Sequence, residues 1–386
     1  MTVPPDTSSL GVASGPAQRW GNVRLVPLLR SFPVEGLHLH PDLSGARPPE
    51  PEEGAPEPVA YLPHAYVERW DQDPFPSASY GARLCDPGRP ASPTRVPLST
   101  ARPRPGHFVR PRFLPWTVSV AGHLERSFAD PSIAWERFSL PMARRDRLSP
   151  PRENAYTGDE VGDLERALEV FEIHPDQCGV ALYVGDEPAS AHLTPHPHDY
   201  RRLHSSLLLD LFGETLYTWG LMAPESTEPY SPLPEREIRT LADLRRAVAR
   251  NRAESSRLHD EEMASSFISP GSEFTRIATR GDFTLWNMRP PLIRGTDRHV
   301  GEVITGPDGL PAYLSTFRLS TAQVRRGRLL RELSRAEGRL DRTAASLEIT
   351  EAELIARLER AGLESVLDPN RLARARSEHR RGLGRR

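Results

Sequence analysis

The sequence predicts an α+β protein in which mixed strands and helices are followed by a group of C-terminal helices. Two short apolar runs, residues 179 to 184 and 189 to 193, flank a turn and indicate a pair of strands. Apolar side chains then cover a broad face of a helix that is predicted to begin at Asp199. From Ser320 onwards, helix-capping residues and leucines recur at helical spacing. Together these observations indicate the fold class.

The composition is that of a folded chain whose first third is rich in loops. The chain has 386 residues, of which 37% are hydrophobic, and a net charge of −2. Its 40 prolines concentrate before residue 151. We predict a disordered arm over residues 1 to 17 and an α+β domain over residues 18 to 319. Proline-rich loops are predicted within that domain at residues 41 to 59, 86 to 115, 141 to 158 and 223 to 236.

Residue usage excludes several kinds of chemistry. All 50 basic residues are arginines, so neither a Schiff-base lysine nor a phosphate-binding Walker lysine is present. Cys85 and Cys178 lack the spacing of zinc or redox sites and are predicted to be buried thiols. The sequence contains no nucleophile elbow, dinucleotide-binding loop, zinc-protease motif or calcium loop. We therefore predict that the protein is not an enzyme and that it uses no cofactor.

The sequence offers no route to a membrane. No apolar run approaches the roughly 18 residues that a membrane-spanning helix needs. The N-terminal residues lack both the basic start and the apolar core of an export signal. We expect a cytoplasmic protein that does not bind membranes.

Periodicity and capping residues predict further elements. Amphipathic helices are expected over residues 116 to 128 and 161 to 171, and a capping box at Thr240 and Asp243 begins another helix. Strands are expected at residues 23 to 27, 34 to 40, 283 to 288, 300 to 304 and 313 to 319.

Two groups of histidines raise the question of a metal site. His38 and His40 lie on one face of a predicted strand, where a structural role is the commoner one. A second group crosses from a strand into a proline-broken loop, without an acidic residue at a familiar metal-binding spacing. It comprises His174, His192, His196, His198 and His204. We predict no metal ligands among them.

Two carboxylates provide an enzymatic alternative. Asp210 and Glu214 lie four residues apart on the central helix, as a pair for acid–base catalysis would require. Carboxylates on a helix surface are far commoner than catalytic ones. An enzyme of unfamiliar type acting at this pair and the nearby histidines is therefore the third of three functional hypotheses.

Capping residues divide the C-terminal sequence into three helices. Ser320 begins the first, Asp341 is expected to cap the second, and a capping box at Thr350 and Glu353 begins the third. Three short helices with such turns are typical of helix-turn-helix units. We predict a trihelical domain over residues 320 to 370.

Residues 338 to 363 resemble the helix-turn-helix of Fis-type bacterial regulators. In that family a glycine precedes the first helix of the motif, alanines and a leucine pack the turn, and an isoleucine with serine or threonine introduces the recognition helix. The matching residues are Gly338, Ala344, Leu347, Ile349, Thr350, Leu354, Leu358, Gly362 and Leu363. The resemblance implies that residues 350 to 360 contact DNA.

The negative charge of the predicted recognition helix places DNA binding second among the functional hypotheses. Residues 348 to 359 contain four glutamates and one arginine, which weakens attraction to phosphates. An arginine-rich tail over residues 371 to 386 would oppose this effect by binding phosphates, but it equally fits a solvated end of the chain. The candidate DNA or partner contacts are Thr350, Glu351, Arg357, Arg360, Arg371, Arg374, Arg376, Arg380 and Arg381.

A second resemblance concerns the α+β domain. Its motifs are the strand at residues 24 to 28, the sequence Tyr61-x-Pro-His64, and the strand at residues 179 to 185 that precedes a second strand and a long apolar helix. They are similar to bacterial domains associated with ADP-ribosylglycohydrolases and rhodanese-type phosphatases. The resemblance implies a role alongside ADP-ribose or NAD-linked processing and assigns no catalytic residue.

The first hypothesis is therefore a non-catalytic accessory or sensor protein. Its α+β domain would bind a protein partner or an anionic small molecule, and its C-terminal helices would relay that binding. A DNA-binding transcriptional regulator is the alternative.

Overall fold

The computed structural model describes most of the chain in separate stretches. These are residues 10–44, 57–67, 77–79, 81–87, 95–97, 112–128, 171–221, 235–268, 271–292 and 298–363, with a few isolated positions outside them. The fold is α+β, as the sequence predicts. The helix predicted over residues 161 to 171 and the proline-rich loop at residues 141 to 158 fall almost entirely outside these stretches.

The strands are short in the first third of the chain and longer after residue 176. They are β1 (Ala13–Ser14), β2 (Gln18–Trp20), β3 (Val23–Leu29), β4 (Leu37–Leu39), β5 (Val59–Leu62), β6 (Tyr66–Val67), β7 (Ser77–Ser79), β8 (Arg83–Cys85), β9 (Arg95–Pro97), β10 (Arg112–Phe113), β11 (Gln177–Val184), β12 (Glu187–Leu193), β13 (Glu273–Arg280), β14 (Phe283–Arg289), β15 (His299–Thr305) and β16 (Pro311–Arg318).

The helices separate the strands and follow them at the C-terminus. They are α1 (Pro41–Ser44), α2 (Trp116–Phe128), α3 (Pro197–Ser206), α4 (Gly213–Leu216), α5 (Leu241–Leu258), α6 (Thr321–Arg335), α7 (Leu340–Ser346) and α8 (Glu351–Arg360). Wider π-helical turns follow α3, α4 and α5, at Leu207–Leu211, Tyr217–Leu221 and His259–Met263.

One antiparallel sheet of nine strands forms the centre of the fold. Its order is β1-β3-β11-β12-β16-β15-β14-β13, with β2 also paired to β3. The three strands β14, β15 and β16 are buried along almost their whole length. Strand β13 at the edge is mostly exposed, and its polar sequence gave no strand prediction.

Both faces of the large sheet are covered. One face carries residues such as Val300, Ile304 and Phe317 and packs in the larger core, which also includes residues of α2, α3 and the C-terminal helices. The opposite face carries Val303 and Leu314 and packs in a second, smaller core. Side chains alternate between these faces because successive residues of a strand point to opposite sides.

Two smaller sheets are built from the first third of the chain. Strands β4, β5 and β8 form one, with β4 parallel to β5, and strands β10, β6, β7 and β9 form the other. The loop between β5 and β6 and the turn before β8 both contact the large sheet.

The C-terminal helices begin close to the positions that the sequence predicts. Ser320 and Thr350 accept hydrogen bonds from the backbone N–H groups of Gln323 and Glu353, so both residues cap helices. The prediction that Asp341 caps α7 is wrong, because the cap position is Arg339 and Asp341 lies within the first turn. There it forms an ion pair with Arg339.

Two other predicted boundaries need correction. The disordered arm predicted over residues 1 to 17 includes β1, which pairs with β3, and the buried side chain of Leu10. The central helix begins at Pro197 rather than at Asp199, because proline is favoured in the first turn of a helix. Among the described residues, no helix is both long enough and apolar enough to cross a membrane.

Asp199 joins the central helix to the smallest sheet. Its carboxylate accepts hydrogen bonds from the backbone N–H of Leu39 and from the hydroxyl of Tyr61, each at 3.1 Å. Burial raises the pKa of Asp199 from 3.8 to about 6, against the opposing effect of these two donors.

We predict that Asp199→Asn changes how stability depends on pH. A raised pKa means that the folded state favours the protonated acid, so this stabilisation is present at low pH and is lost as pH rises through about 6. Asparagine keeps an acceptor for both donors and does not titrate. The variant should therefore gain about 2–3 kcal/mol relative to the natural chain between about pH 4 and about pH 8. Urea unfolding of both proteins checks this, and a constant difference would contradict it.

Candidate functional site

A carboxylate lies in the middle of an otherwise apolar strand. Glu302 occupies the centre of β15, between Val300 and Ile304 on the same face, and its side chain is fully buried. A buried carboxylate is stable only with hydrogen bonds and a compensating charge. Its partners therefore define the candidate site.

Glu302 belongs to a polar row that crosses the large sheet. It lies opposite Ser315 on one neighbouring strand and Asn287 on the other, and Ser315 lies opposite His192. Residues directly opposite each other share a face, so all four side chains point towards the larger core. Helix α2 covers this row, and its Ser127 donates a hydrogen bond to the Asn287 side chain at 2.9 Å.

Two loops from the small sheets bring their own polar groups to Glu302. The Ala82 N–H, just before β8, donates to Oε2 of Glu302. His64, in the loop between β5 and β6, places its Nδ1 atom 3.3 Å from the same oxygen. The His64 backbone N–H donates to the hydroxyl of Tyr313, which fixes this loop on the sheet.

The hydrogen bonds of His64 indicate its tautomer. Its Nε2 lies 3.2 Å from the Ser119 carbonyl oxygen, which can only accept, so Nε2 carries a proton. Its Nδ1 accepts a hydrogen bond of 3.0 Å from the Gly81 N–H and therefore presents a lone pair. The same nitrogen lies 3.3 Å from Oε2 of the Glu302 carboxylate.

His123 on α2 completes the group. Its ring stacks on the His64 ring, with centroids 3.4 Å apart and planes 11° apart. Both of its ring nitrogens are buried and have no hydrogen-bond partner among the described residues. Burial, followed by the neighbouring His64 ring, holds the pKa of His123 well below its ordinary value, so this imidazole is neutral.

Arg126, one turn further along α2, supplies the positive charge. Its Nε lies 3.2 Å from Oε1 of Glu302, and about a quarter of its side chain is exposed. Burial opposes ionisation of Glu302, but the contact with His64, followed by the charge of Arg126, lowers its pKa to about 2. The carboxylate is therefore ionised.

This cluster of His64, His123, Glu302 and Arg126 has two chemical capacities. One ligand atom from each of His64, His123 and Glu302 lies within 4.8 Å of the others, and two imidazoles with a carboxylate are donors that transition metals accept. Arg126 is the partly exposed member, so it is the group through which an anion or a partner can reach the cluster.

The histidines considered from the sequence do not converge in this way. His38 stacks on His196, with centroids 4.7 Å apart, instead of pairing with His40. His192 is buried between Phe113 and Tyr313. The others have separate places: His174 accepts from the Asp176 N–H, His204 bonds the Tyr200 hydroxyl, and His198 is exposed.

The carboxylate pair Asp210 and Glu214 and the two cysteines occupy positions typical of structural residues. Asp210 is buried and accepts a hydrogen bond of 2.7 Å from Ser206, whereas Glu214 is half-buried one turn later. Cys178 is buried and Cys85 is half-buried; both are free thiols. Burial raises the pKa of Cys178 to about 11, which makes it a poor nucleophile.

The structure describes some of the candidate DNA or partner contacts. Glu351, Arg357 and Arg360 are exposed on α8, and Arg357 forms an ion pair of 2.6 Å with Glu353. Thr350 is the cap of that helix. The remaining candidates lie outside the described residues: Arg371, Arg374, Arg376, Arg380 and Arg381.

One feature of the sequence indicates the cluster, although it is neither a known motif nor a spacing of ligand residues. A glutamate at the centre of the predicted strand 300–304 must be buried with that strand, so it requires a partner. His123 lies in the predicted helix 116–128, and His64 belongs to the Tyr61-x-Pro-His64 motif. Their convergence depends on the order of strands in the sheet, which local patterns do not reveal.

Gly81 permits the approach of Arg126. It has φ of +90°, and a Cβ atom there would overlap the Arg126 guanidinium. We expect Gly81→Ala to lower the free energy of unfolding by about 2–4 kcal/mol, because strained backbone and the overlap add to each other.

Gly36→Ala is the matched control for this variant. Gly36 has φ of +76°, but the nearest atom to an added Cβ is on the Phe283 ring at 3.7 Å. It therefore measures the cost of the backbone conformation alone, about 1–3 kcal/mol. Chemical unfolding of both variants gives the comparison. Equal losses would show that the packing of Arg126 on Gly81 contributes nothing.

Comparison with known proteins gives one family. No curated protein and no solved structure matches the chain. The model of the ARPP-2 family matches residues 7–281, which is more than half of the sequence. The matched region includes His64 and His123 and ends before Glu302 and the C-terminal helices. The chain belongs to the ARPP-2 family.

Proposed function

We propose that this protein is a non-catalytic accessory or sensor protein that acts alongside ADP-ribose or NAD-linked processing. The sequence motifs shared with domains associated with ADP-ribosylglycohydrolases support this role, and membership of the ARPP-2 family is compatible with it. In this role the α+β domain binds an anionic metabolite or a protein partner, and the C-terminal helices transmit the bound state.

The observation that carries the proposal is the position of α2 between the cluster and the C-terminal helices. His123 and Arg126 on one side of α2 contact the cluster, whereas Leu124 and Phe128 pack against α6. His123 and Arg126 are three positions apart, so they share one side of the helix. Leu124 and Phe128 are four positions apart and share another side. A single rigid helix therefore contacts both regions.

Gly327 of α6 allows the two helices to pack closely. A Cβ atom at this position would lie 3.3 Å from the Phe128 ring and 3.5 Å from the Leu124 side chain. The first of these distances is shorter than ordinary van der Waals contact, and close-packed interiors transmit small displacements. A shift of α2 at the cluster would consequently displace α6.

The remaining C-terminal helices are packed onto α6. Leu330 and Leu333 of α6, Leu340 of α7, and Leu354 and Leu358 of α8 are buried in one continuous core with α2. The three helices would therefore respond to a shift of α2 as a group.

The first test is hydrogen–deuterium exchange of the full chain with and without ADP-ribose. We expect ADP-ribose to slow exchange in α2 and also in α6, because the two helices share one packed interface. Ribose 5-phosphate serves as the control compound, since it lacks the adenosine diphosphate part. If neither ADP-ribose nor NAD changes exchange anywhere in the chain, the proposed metabolite class is wrong.

The relay itself is tested at Gly327. Gly327→Leu should cost about 1–3 kcal/mol by overpacking and should uncouple α6 from ADP-ribose binding, while exchange in α2 still responds. Arg325→Leu, at an exposed position of the same helix, is the control and should keep the coupling. A Gly327→Leu protein whose C-terminal helices respond as before would remove α2 as the connection.

The second candidate function is a DNA-binding regulator. The specific observation in its favour is the exposure of Arg357 and Arg360 on α8, the helix that matches the recognition helix of Fis-type regulators. Glu351, exposed at the start of the same helix, opposes attraction to phosphates.

We predict that Glu351→Ala strengthens DNA binding if the protein has that function. Removing one exposed negative charge should raise affinity about two- to fivefold at low salt, with a smaller gain at high salt. Titration of the full chain with mixed duplex DNA at two salt concentrations measures this. Glu254→Ala on α5 removes the same charge from a different exposed helix and should have little effect. Equal effects of the two variants would argue against α8 as the DNA-contacting helix.

A further inference from the structure

His64 and Glu302 place two candidate ligand atoms side by side. The Ser119 carbonyl keeps the His64 proton on Nε2, and the Gly81 N–H points at Nδ1. His64 Nδ1 also lies 3.3 Å from Oε2 of Glu302. A metal cation bound at these two atoms would replace the Gly81 N–H as the partner of Nδ1, because a neutral imidazole has one lone pair.

The orientation of His64 is the one that metal-binding histidines adopt. Such histidines almost always donate their second ring N–H to a carbonyl or carboxylate, which fixes the ring and strengthens the other nitrogen as a ligand. His64 makes this contact with Ser119 at 3.2 Å. Its Nδ1 atom lies beside the carboxylate and is buried from solvent.

His123 provides a further ligand that has no other role in hydrogen bonding. Its side chain is fully buried, and neither ring nitrogen has a partner among the described residues. A buried polar atom without a partner destabilises the fold, so its retention needs an explanation. Coordination of a cation would satisfy one of these nitrogens.

We propose that His64, His123 and Glu302 bind a divalent transition metal ion of the zinc or iron(II) class. His64 contributes Nδ1, Glu302 contributes Oε2, and His123 contributes one ring nitrogen. Imidazole and carboxylate ligands together suit these ions. The ADP-ribose role proposed above is not needed for this site, so either proposal can fail alone.

The stacked rings show which side chain must move to bind the ion. Two parallel imidazoles cannot both direct a lone pair at one cation, because each lone pair lies in its ring plane. His64 keeps its Nε2 hydrogen bond to Ser119 and exchanges only the Gly81 N–H at Nδ1 for the ion, whereas His123 has no hydrogen bond to lose among the described residues. The His123 ring therefore turns out of the stack and the His64 ring stays.

Arg126 leaves the metal-binding oxygen of Glu302 available. The guanidinium contacts Oε1, while Oε2 accepts from Ala82 and faces His64. The arginine thus orients the carboxylate from the side opposite the ion. It is also the partly exposed member of the cluster, so its displacement opens the route from solvent.

The test is metal analysis of the full chain. Protein freed of metal by a chelator is dialysed against Zn²⁺ or Co²⁺, and bound metal is measured by elemental analysis and by the visible absorption of Co²⁺. We expect one ion per chain. His123→Gln should weaken binding by more than about 100-fold, since loss of an outer partner alone costs about 10- to 100-fold. This variant loses no hydrogen bond and should remain folded, and Glu302→Gln is the second ligand variant.

His192→Gln is the matched control. His192 is fully buried and has two ring nitrogens without partners among the described residues, as His123 has, but it does not belong to the ligand group. Its variant should bind metal like the natural chain. The proposal is overturned if the natural chain binds no stoichiometric metal, or if folded His123→Gln binds as tightly as His192→Gln does.

Discussion

The fold depends on keeping one ionised carboxylate inside an apolar sheet. Burying an isolated carboxylate costs several kcal/mol even after relaxation, so Glu302 must have partners wherever the chain folds. Those partners come from three separate parts of the chain: a loop with His64, a turn with Ala82, and helix α2 with Arg126. The carboxylate therefore specifies how the small sheets and α2 dock on the large sheet, beyond what apolar packing alone requires.

The cluster and the C-terminal helices both pack against helix α2, and this shared contact matters for function. Helix α2 presents polar residues to the sheet and Leu124 and Phe128 to α6. Any ligand that repositions Arg126 acts on a helix whose other side is already packed, and such packed interfaces tend to change between discrete arrangements. This geometry is compatible with the proposed sensor role, because one helix contacts both regions.

Local sequence patterns predict many of the helices and strands, but they do not predict which side chains come together in the cluster. The bounds of α2, the strand pair β11–β12 and the caps at Ser320 and Thr350 follow from periodicity and capping chemistry, which act within a few residues. Strand β13 was missed because an exposed edge strand has no apolar alternation. The cluster was missed because strand order, which no local pattern encodes, brings His64, His123 and Glu302 together. The unusual signal was a glutamate where the strand pattern requires an apolar residue.

Because the sequence contains no lysine, the positive charge beside Glu302 is that of an arginine. Arginine remains charged at any pH at which the protein folds and is more weakly hydrated than lysine, so it loses less when partly buried beside Glu302. Its planar group also packs closely against Gly81. Movement of the Arg126 side chain would change the electrostatics of the site, and this movement would act on α2.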